Sequence, residues 1–234
     1  LVVIAAHQLR TPLTGLRWAV STLSDPTIPE KDRTQRIADI QEAVSRIGLI
    51  VDNIVASADI EEGKFGYTFT DQDVIDVVKK QIANLALPIK ERNLNIVTTF
   101  PKGPCISYMD AYRMSTAIYN LLENAVEYTP QAGRITVTLA DSGTAYELTI
   151  EDSGIGISDN DKRNLFTKFF RGEAAKHMRP NGSGLGLYLA KHVAESHGGK
   201  IWIESFEGKG TKITLPLPYS KDKQPPQPAL TRTV

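Results

Sequence analysis

Asn120 and Asn124 stand one helical turn apart, so their carboxamides project from one face of the helix that carries them. Among Leu121, Leu122 and Ala125 they are polar exceptions, and two amides so spaced can hold a metal-bound triphosphate. Glu127 and Tyr128 continue that face. A hydrated outer surface is the ordinary fate of such amides, and spacing does not separate the two readings. The glycines offer a second phosphate candidate. Ten of the 17 lie between residues 154 and 210, as Gly154/Gly156, Gly182/Gly184/Gly186 and Gly208/Gly210 among others. The middle cluster, GSGLGL, opens a helix, where backbone amides and the helix dipole favour an anion. The dinucleotide fingerprint would need a strand before it, and none is expected there; singly, each cluster reads more commonly as turns. The third grouping is a stripe. His7, Thr11, Thr14 and Trp18 step by four, three and four. A lone histidine is usually a solvated one. An outward Trp18 is less ordinary on a helix surface, and implies packing on another domain or a docking surface.

Helices must position that stripe. Val2, Ala6, Leu9, Leu13, Leu16, Val20 and Leu23 repeat at heptad spacing, as do Ile37, Ile40, Val44, Ile47, Val51, Ile54 and Ala58. Asp25-Pro26-Thr27-Ile28-Pro29 breaks the helix between them, so residues 1–62 form an antiparallel hairpin. Leu49 and Ile50 add apolar width beyond the second seam, and a homodimeric four-helix bundle buries the surplus. Pro12 predicts a kink beside His7.

Residues 63–218 change texture. Alternation predicts strands over 64–69 and 95–100 and hairpins at 135–139/146–150 and 200–205/212–217. Thr70 with Asp73 caps a helix over 71–86, Asp110 one over 111–128, and Ser158 with Asp161 a short one to Phe166. A helix over 185–197 ends at Gly198-Gly199. The fold class is α plus α/β: a helical hairpin, then an α/β sandwich with a mixed sheet and helices on one face. Residues 219–234 are Pro/Gln-rich and expected to be a disordered tail.

Composition bounds the partners. Lys plus Arg and Asp plus Glu are 27 each, which argues against a nucleic-acid coat or a polybasic membrane binder. No run of 18 apolar residues exists, so no membrane contact is expected of this chain. The one cysteine, Cys105, excludes an internal disulfide and a multi-thiolate zinc site, and a cytoplasmic setting is the default. The charge is locally opposed: residues 141–161 hold six acids and no Lys or Arg, and 162–179 hold six Lys or Arg and one Glu. The chain opens within an apolar run without Met and reads as a fragment, which allows it to be the cytoplasmic part of a membrane-bound sensor.

Taken together, the motifs resemble those of sensor histidine kinases of two-component signalling. HQLRTPLT (7–14) is similar to that family's phosphoacceptor box and NLLENAVEYTP (120–130) to its Asn box. DSGIGI, LFTKFFRG, GSGLGLYLAKHVAESHGG and GKGTKITLPLP follow in the family's order, so the likeness spans about residues 1–218. The resemblance implies that His7 takes the γ-phosphoryl of ATP and passes it to an Asp of a response regulator. Asn124 with Asn120 would hold Mg²⁺, Asp152 would accept from the adenine amino group, and Gly154 and Gly156 would let the chain pass the base. Tyr128 would line the ATP site. Lys168 and Arg171 would neutralise phosphate charge. Residues 172–183 would form a lid, and Gly182, Gly184, Leu185 and Gly186 would bring amides to the phosphates. Thr11 would position water for phosphatase activity, and Thr14 with Trp18 would face the docked regulator. Two residues depart from the pattern. Gln8 replaces an acid and cannot take a proton. Glu127 replaces a cation; if Glu127→Lys tightened ATP binding, the missing cation would be costing affinity. The alternatives are an ATPase of the gyrase or chaperone type, in which Asn120 would be Glu, and a catalytically inactive dimeric scaffold.

Overall fold

The computed structural model describes residues 2–179 and 182–219; the side chains of residues 2–8, 42 and 46 lie outside that description. The expected disordered tail therefore falls, from residue 220 on, outside the described residues, as do the side chains of His7 and Gln8.

Helices α1 (Val2–Leu23) and α2 (Glu30–Glu61) form the hairpin. Asp25 Oδ1 accepts from the backbone N–H of Thr27 at 2.8 Å and from its hydroxyl at 2.7 Å, which closes the turn locally. The expected seam divides in two. Leu16 and Leu23 of that seam are half-buried, on the same side as Pro12 and Ala19, which lie outside it and are buried. Leu13 and Val20 instead stay 44% and 49% exposed, and Ile37, Val44 and Val51 on α2 are exposed with them. A broad apolar stripe is thus shared between the partner helix and an outward face. Pro12 occupies the inward side, where its missing N–H leaves an apolar ring against α2. The guanidinium of Arg36 on α2 stands 4.5 Å over the Trp18 ring of α1.

Five strands make the main sheet: β2 (Asn95–Thr99), β4 (Arg134–Asp141), β5 (Tyr146–Asp152), β6 (Trp202–Phe206) and β7 (Gly210–Leu217). Their order is β2-β4-β5-β7-β6, parallel only between β2 and β4. Helices α3 (Val74–Asn84), α5 (Ala111–Tyr128) and α8 (Gly186–Ser196) contribute Val78, Met114, Leu121 and Ala190 to a core with Ile135, Val137, Leu148, Ile150 and Leu215 from the strands. Strand alternation explains the one-sided cover: Ile135, Val137 and Leu139 are buried while Thr136 and Thr138 are not. Burying a residue such as Leu121 or Ile150 stabilises by about 1.5–3 kcal/mol.

Several boundaries differ from expectation. Residues 64–68 form no strand; β1 is Phe69–Asp73 and pairs antiparallel with β3 (Ile106–Asp110) in a separate two-stranded sheet. The alternating Phe65, Tyr67 and Phe69 instead meet His192 and His197 edge-on or tilted. The cap of α3 is Asp73, not Thr70: its side chain accepts from Ile75 N at 3.0 Å, and the helix starts three residues later than expected. A further helix, α4 (Ala86–Glu91), follows it, and α6 (Asp159–Lys162) stops short of Phe166. Asp110 caps α5 as expected, accepting from Arg113 N at 2.8 Å.

Candidate nucleotide site

A cleft of about 410 Å³ lies between α5, the chain after β5, the start of α8 and helix α7 (Glu173–Met178). Asn120, Asn124 and Tyr128 line it from α5 at successive turns. Asn120 is 2% exposed and its Nδ2 has no hydrogen-bond partner among the described residues. The hydrated-surface reading therefore does not describe Asn120. An unpaired buried amide costs about 1–3 kcal/mol, so this one is set for a group that the protein does not supply. With Asn124 a turn away, the pair suits a cation on a triphosphate: carboxamide oxygens are hard ligands, and Mg²⁺ takes few of them beside phosphate and water. Among the described residues no cluster of three or more His, Cys, Asp or Glu forms a metal cage. His197 is used otherwise: its Nε2 accepts from Asp110 N at 3.0 Å and its Nδ1 lies 2.7 Å from the Val193 carbonyl.

Asp152 ends β5 at the other side of the cleft. Its Oδ1 accepts from Gly154 N at 2.8 Å and Thr211 N at 3.2 Å, and Oδ2 has no hydrogen bond among the described residues. Burial pushes this carboxyl up to about 6 from its ordinary 3.8, against the pull of those two N–H donors. Gly154 packs so closely that a Cβ there would collide with the Tyr128 carbonyl. The backbone after Asp152 thus lies on the end of α5, and Ile155 N donates to Tyr128 O at 3.1 Å. Gly156 lines the cleft, whereas Gly154 lies behind it.

Gly182, Gly184 and Gly186 also line the cleft. Gly184 has φ +67°, and a Cβ would sit 2.7 Å from the Phe169 carbonyl carbon, so no other residue fits without strain. Gly186 allows the first turn of α8 to approach Asn120, whose Cβ would be 3.4 Å from an added one. Leu185 does not line the cleft: it is fully buried, and its N–H donates to Ser183 Oγ at 3.2 Å.

The basic segment is arranged differently from expectation. Lys168 does not reach the cleft. Its Nζ meets Glu61 Oε1 at 2.6 Å and the Ser57 carbonyl at 3.1 Å, and lies 5.1 Å from the Tyr188 ring centre. It is a tie between the hairpin and the α/β domain. Arg171 does line the cleft, yet its Nη2 donates to the carbonyls of Ala175 and Arg179, organising α7. Arg179 also lines the cleft and pairs with α5: it meets Glu123 at 3.3 Å and Glu127 at 3.7 Å. Burial opposes its charge, but Glu123 and Glu127 outweigh burial and hold its pKa above the ordinary value. Glu127 also meets Arg92 at 3.9 Å. The acid in place of a cation is therefore paired with cations already present, Arg179 after α7 and Arg92.

The hairpin supplies the remaining wall. Leu49, Ile50 and Asn53, on one face of α2, line the cleft. Leu49 and Ile50 are the residues whose extra apolar width suggests a dimer in the sequence; the structure turns them to this cleft, with Ile50 8% exposed. On the stripe, Thr11 is exposed, Thr14 Oγ1 donates to Arg10 O at 2.8 Å, and Trp18 is 59% exposed.

Two families match this chain. Residues 2–63 match the His Kinase A (phospho-acceptor) domain, and residues 109–221 the histidine kinase-, DNA gyrase B- and HSP90-like ATPase. The chain is 29% identical to the sensor histidine kinase WalK of Bacillus subtilis, over 94% of this chain and 36% of that protein. It is 31% identical to the histidine-protein kinase/phosphatase MprB of Mycobacterium avium, over 93% of this chain and 42% of that one. The chain spans less than half the length of either relative. A solved structure of histidine kinase ThkA in complex with response regulator TrrA shares the fold, with a TM-score of 0.62 at 22% identity, over 94% of this chain and 61% of that one.

Proposed function

Since the chain belongs to the sensor histidine kinases of two-component signalling, we propose that it phosphorylates His7 from ATP and passes the phosphoryl group to an aspartate of a response regulator. The observation that carries this reading is the cleft itself. It has a partly free carboxylate at Asp152 for the adenine amino group, an open buried amide at Asn120 for the triphosphate end, and a wall made by the helix hairpin that bears His7.

Asn120 and Asn124 would hold Mg²⁺, which when bound screens the charge of the phosphates against an approaching nucleophile. Asp152 accepts from the base and sets its depth. The amides around Gly182, Gly184 and Gly186 hold the phosphates at the start of α8. Neutral imidazole of His7 attacks phosphorus; an N–P bond forms, the bond to the β-phosphate oxygen breaks, and ADP leaves. The ring proton goes to solvent, because Gln8 cannot accept it. In the second step the carboxylate of the regulator takes the phosphoryl group and frees His7. Incubation with γ-labelled ATP and Mg²⁺ should give an acid-labile, base-stable phosphoprotein that His7→Ala abolishes. Acid-stable label, or label retained by His7→Ala, would refute the reading.

Gln8→Glu should raise the rate of autophosphorylation by supplying a proton acceptor beside the imidazole, by up to about 10²-fold. An equal or slower rate in rapid-quench assays would show that proton transfer does not limit the step. Thr11 would orient water against the phosphorylated regulator, giving phosphatase activity of the kind the name of MprB carries. The complex of ThkA with TrrA supports a regulator as partner here. Thr14 and Trp18 form its docking stripe, and Trp18→Ala should slow phosphotransfer to the regulator at least tenfold while autophosphorylation changes less than twofold. Equal loss of both would assign Trp18 to the kinase step instead.

Exposed Leu13, Val20, Ile37, Val44 and Val51 support a homodimer with a four-helix core. Residues 1–62 act as the dimerisation and phosphotransfer hairpin and 63–218 as the ATP-binding domain. Among the described residues no helix is long and apolar enough to cross a membrane. The need for ATP and a regulator supports a cytoplasmic location for this part of the protein.

A further inference from the structure

Asn53 is on α2, yet it lines the nucleotide cleft. It is only 4% exposed, and its Oδ1 has no hydrogen-bond partner among the described residues. A second, small gap places it more closely. Asn53 lines that gap with Thr116 and Ala117 of α5 and Leu189 and Val193 of α8. Ala117 is one turn before Asn120, and Leu189 one turn after Gly186. Asn53 therefore sits at the triphosphate end of the cleft, far along α5 from Tyr128.

Two buried amides, each with one open atom, thus belong to the same end. Asn120 presents a donor, Nδ2, and Asn53 presents an acceptor, Oδ1. A bare phosphate oxygen satisfies only the donor. A hydrated divalent cation on a triphosphate satisfies both: its bound waters donate, and the phosphate oxygens accept. Ser57, one turn beyond Asn53 and fully buried, gives its carbonyl to Lys168, so this stretch of α2 is fixed on the α/β domain.

We propose that Asn53 is a binding residue for the water shell of the divalent cation carried by ATP, supplied to the site by the hairpin. The proposal rests on the ATP·Mg²⁺ reading given above. It couples two events. Cation-bound nucleotide completes a contact that exists only when the hairpin is docked, so nucleotide and docking favour one another by the same factor. Nucleotide without the cation lacks this coupling.

The test uses the full chain and a fluorescent, non-hydrolysable ATP analogue, titrated with Mg²⁺ and separately in EDTA. Wild type should bind more tightly with Mg²⁺. Asn53→Leu fills the space but removes the acceptor, and should lose about 3–10-fold of affinity in Mg²⁺ and none in EDTA. Asn53→Asp keeps an acceptor and adds charge, and should reach half-maximal effect at equal or lower Mg²⁺ than wild type. Equal losses with and without Mg²⁺ in Asn53→Leu, no loss in either, or a fall of Asn53→Asp alongside Asn53→Leu would each overturn the proposal while the ATP reading stands. A wild type whose binding ignores Mg²⁺ would overturn both.

Discussion

Asp152→Asn should lose nucleotide binding by at least about 10²-fold and, without nucleotide, unfold at a higher temperature than wild type at pH 7.5. Both effects come from one carboxyl. In the proposed role its charged form would accept from the adenine amino group, a charge-assisted bond that a neutral amide would replace poorly. That charge is held at a cost. The folded pKa of about 6 lies above the ordinary 3.8, so between those values the folded protein holds a proton that the unfolded chain has lost. Stability therefore falls as pH rises from about 4 through 6, and above pH 6 the full penalty, up to about 3 kcal/mol, is present. An amide removes it at every pH. Wild type should in turn bind ATP less well as pH falls below about 6, because binding must first release the proton. Calorimetric titration of ATP between pH 5 and 8, with thermal melts of the apo proteins, checks both halves. A variant that binds ATP normally, or one destabilised at pH 7.5, would remove Asp152 from the role given to it.

Much of this site is legible in sequence because it is built locally. Asn120 and Asn124 share a face by helical periodicity alone, Asp110 and Ser158 announce their helices, and the hairpin ending at Asp152 shows strict alternation. What is not legible depends on contacts between distant segments. Phe65, Tyr67 and Phe69 alternate as a strand would, yet aromatic partners more than 100 residues away decide their use. Strand β3 is short, and α4 holds a proline, so neither gives enough period to register. Lys168 and Arg179 sit in one basic run, and nothing in it says that the first pairs with Glu61 and the second with Glu123 and Glu127. Leu49 and Ile50 carry a real signal, apolar width beyond the seam, but width alone does not name what covers it. The hairpin's share of the nucleotide site, Asn53 included, is visible only after α2 has docked.

Glu127→Lys should weaken ATP binding about tenfold, the reverse of what a plain count of charges suggests. Adding a cation beside a triphosphate site would ordinarily help. Here the position is already spoken for. Glu127 faces Arg92 at 3.9 Å and Arg179 at 3.7 Å, and Arg179 also meets Glu123 of α5 at 3.3 Å. A lysine would place a third positive charge between two arginines and leave Glu123 as the one carboxylate on Arg179. Glu127 is partly exposed, so solvent and salt moderate the repulsion. Its structural consequence is larger than its energy suggests. Arg179 ties the end of α7 to α5, and Arg171 also gathers carbonyls of α7, so weakening that tie would loosen α7 from α5. Glu127→Gln should give a smaller loss in the same direction. Arg179→Ala should lose about as much as Glu127→Lys, and adding it to Glu127→Lys should cost little more, since both changes act through the same tie between α7 and α5. Stopped-flow binding of a fluorescent ATP analogue would separate a faster dissociation rate, the expected cause, from slower association. Tighter binding by Glu127→Lys alone would mean that the carboxylate opposes the phosphates and that its pairing with Arg179 does not hold the lid.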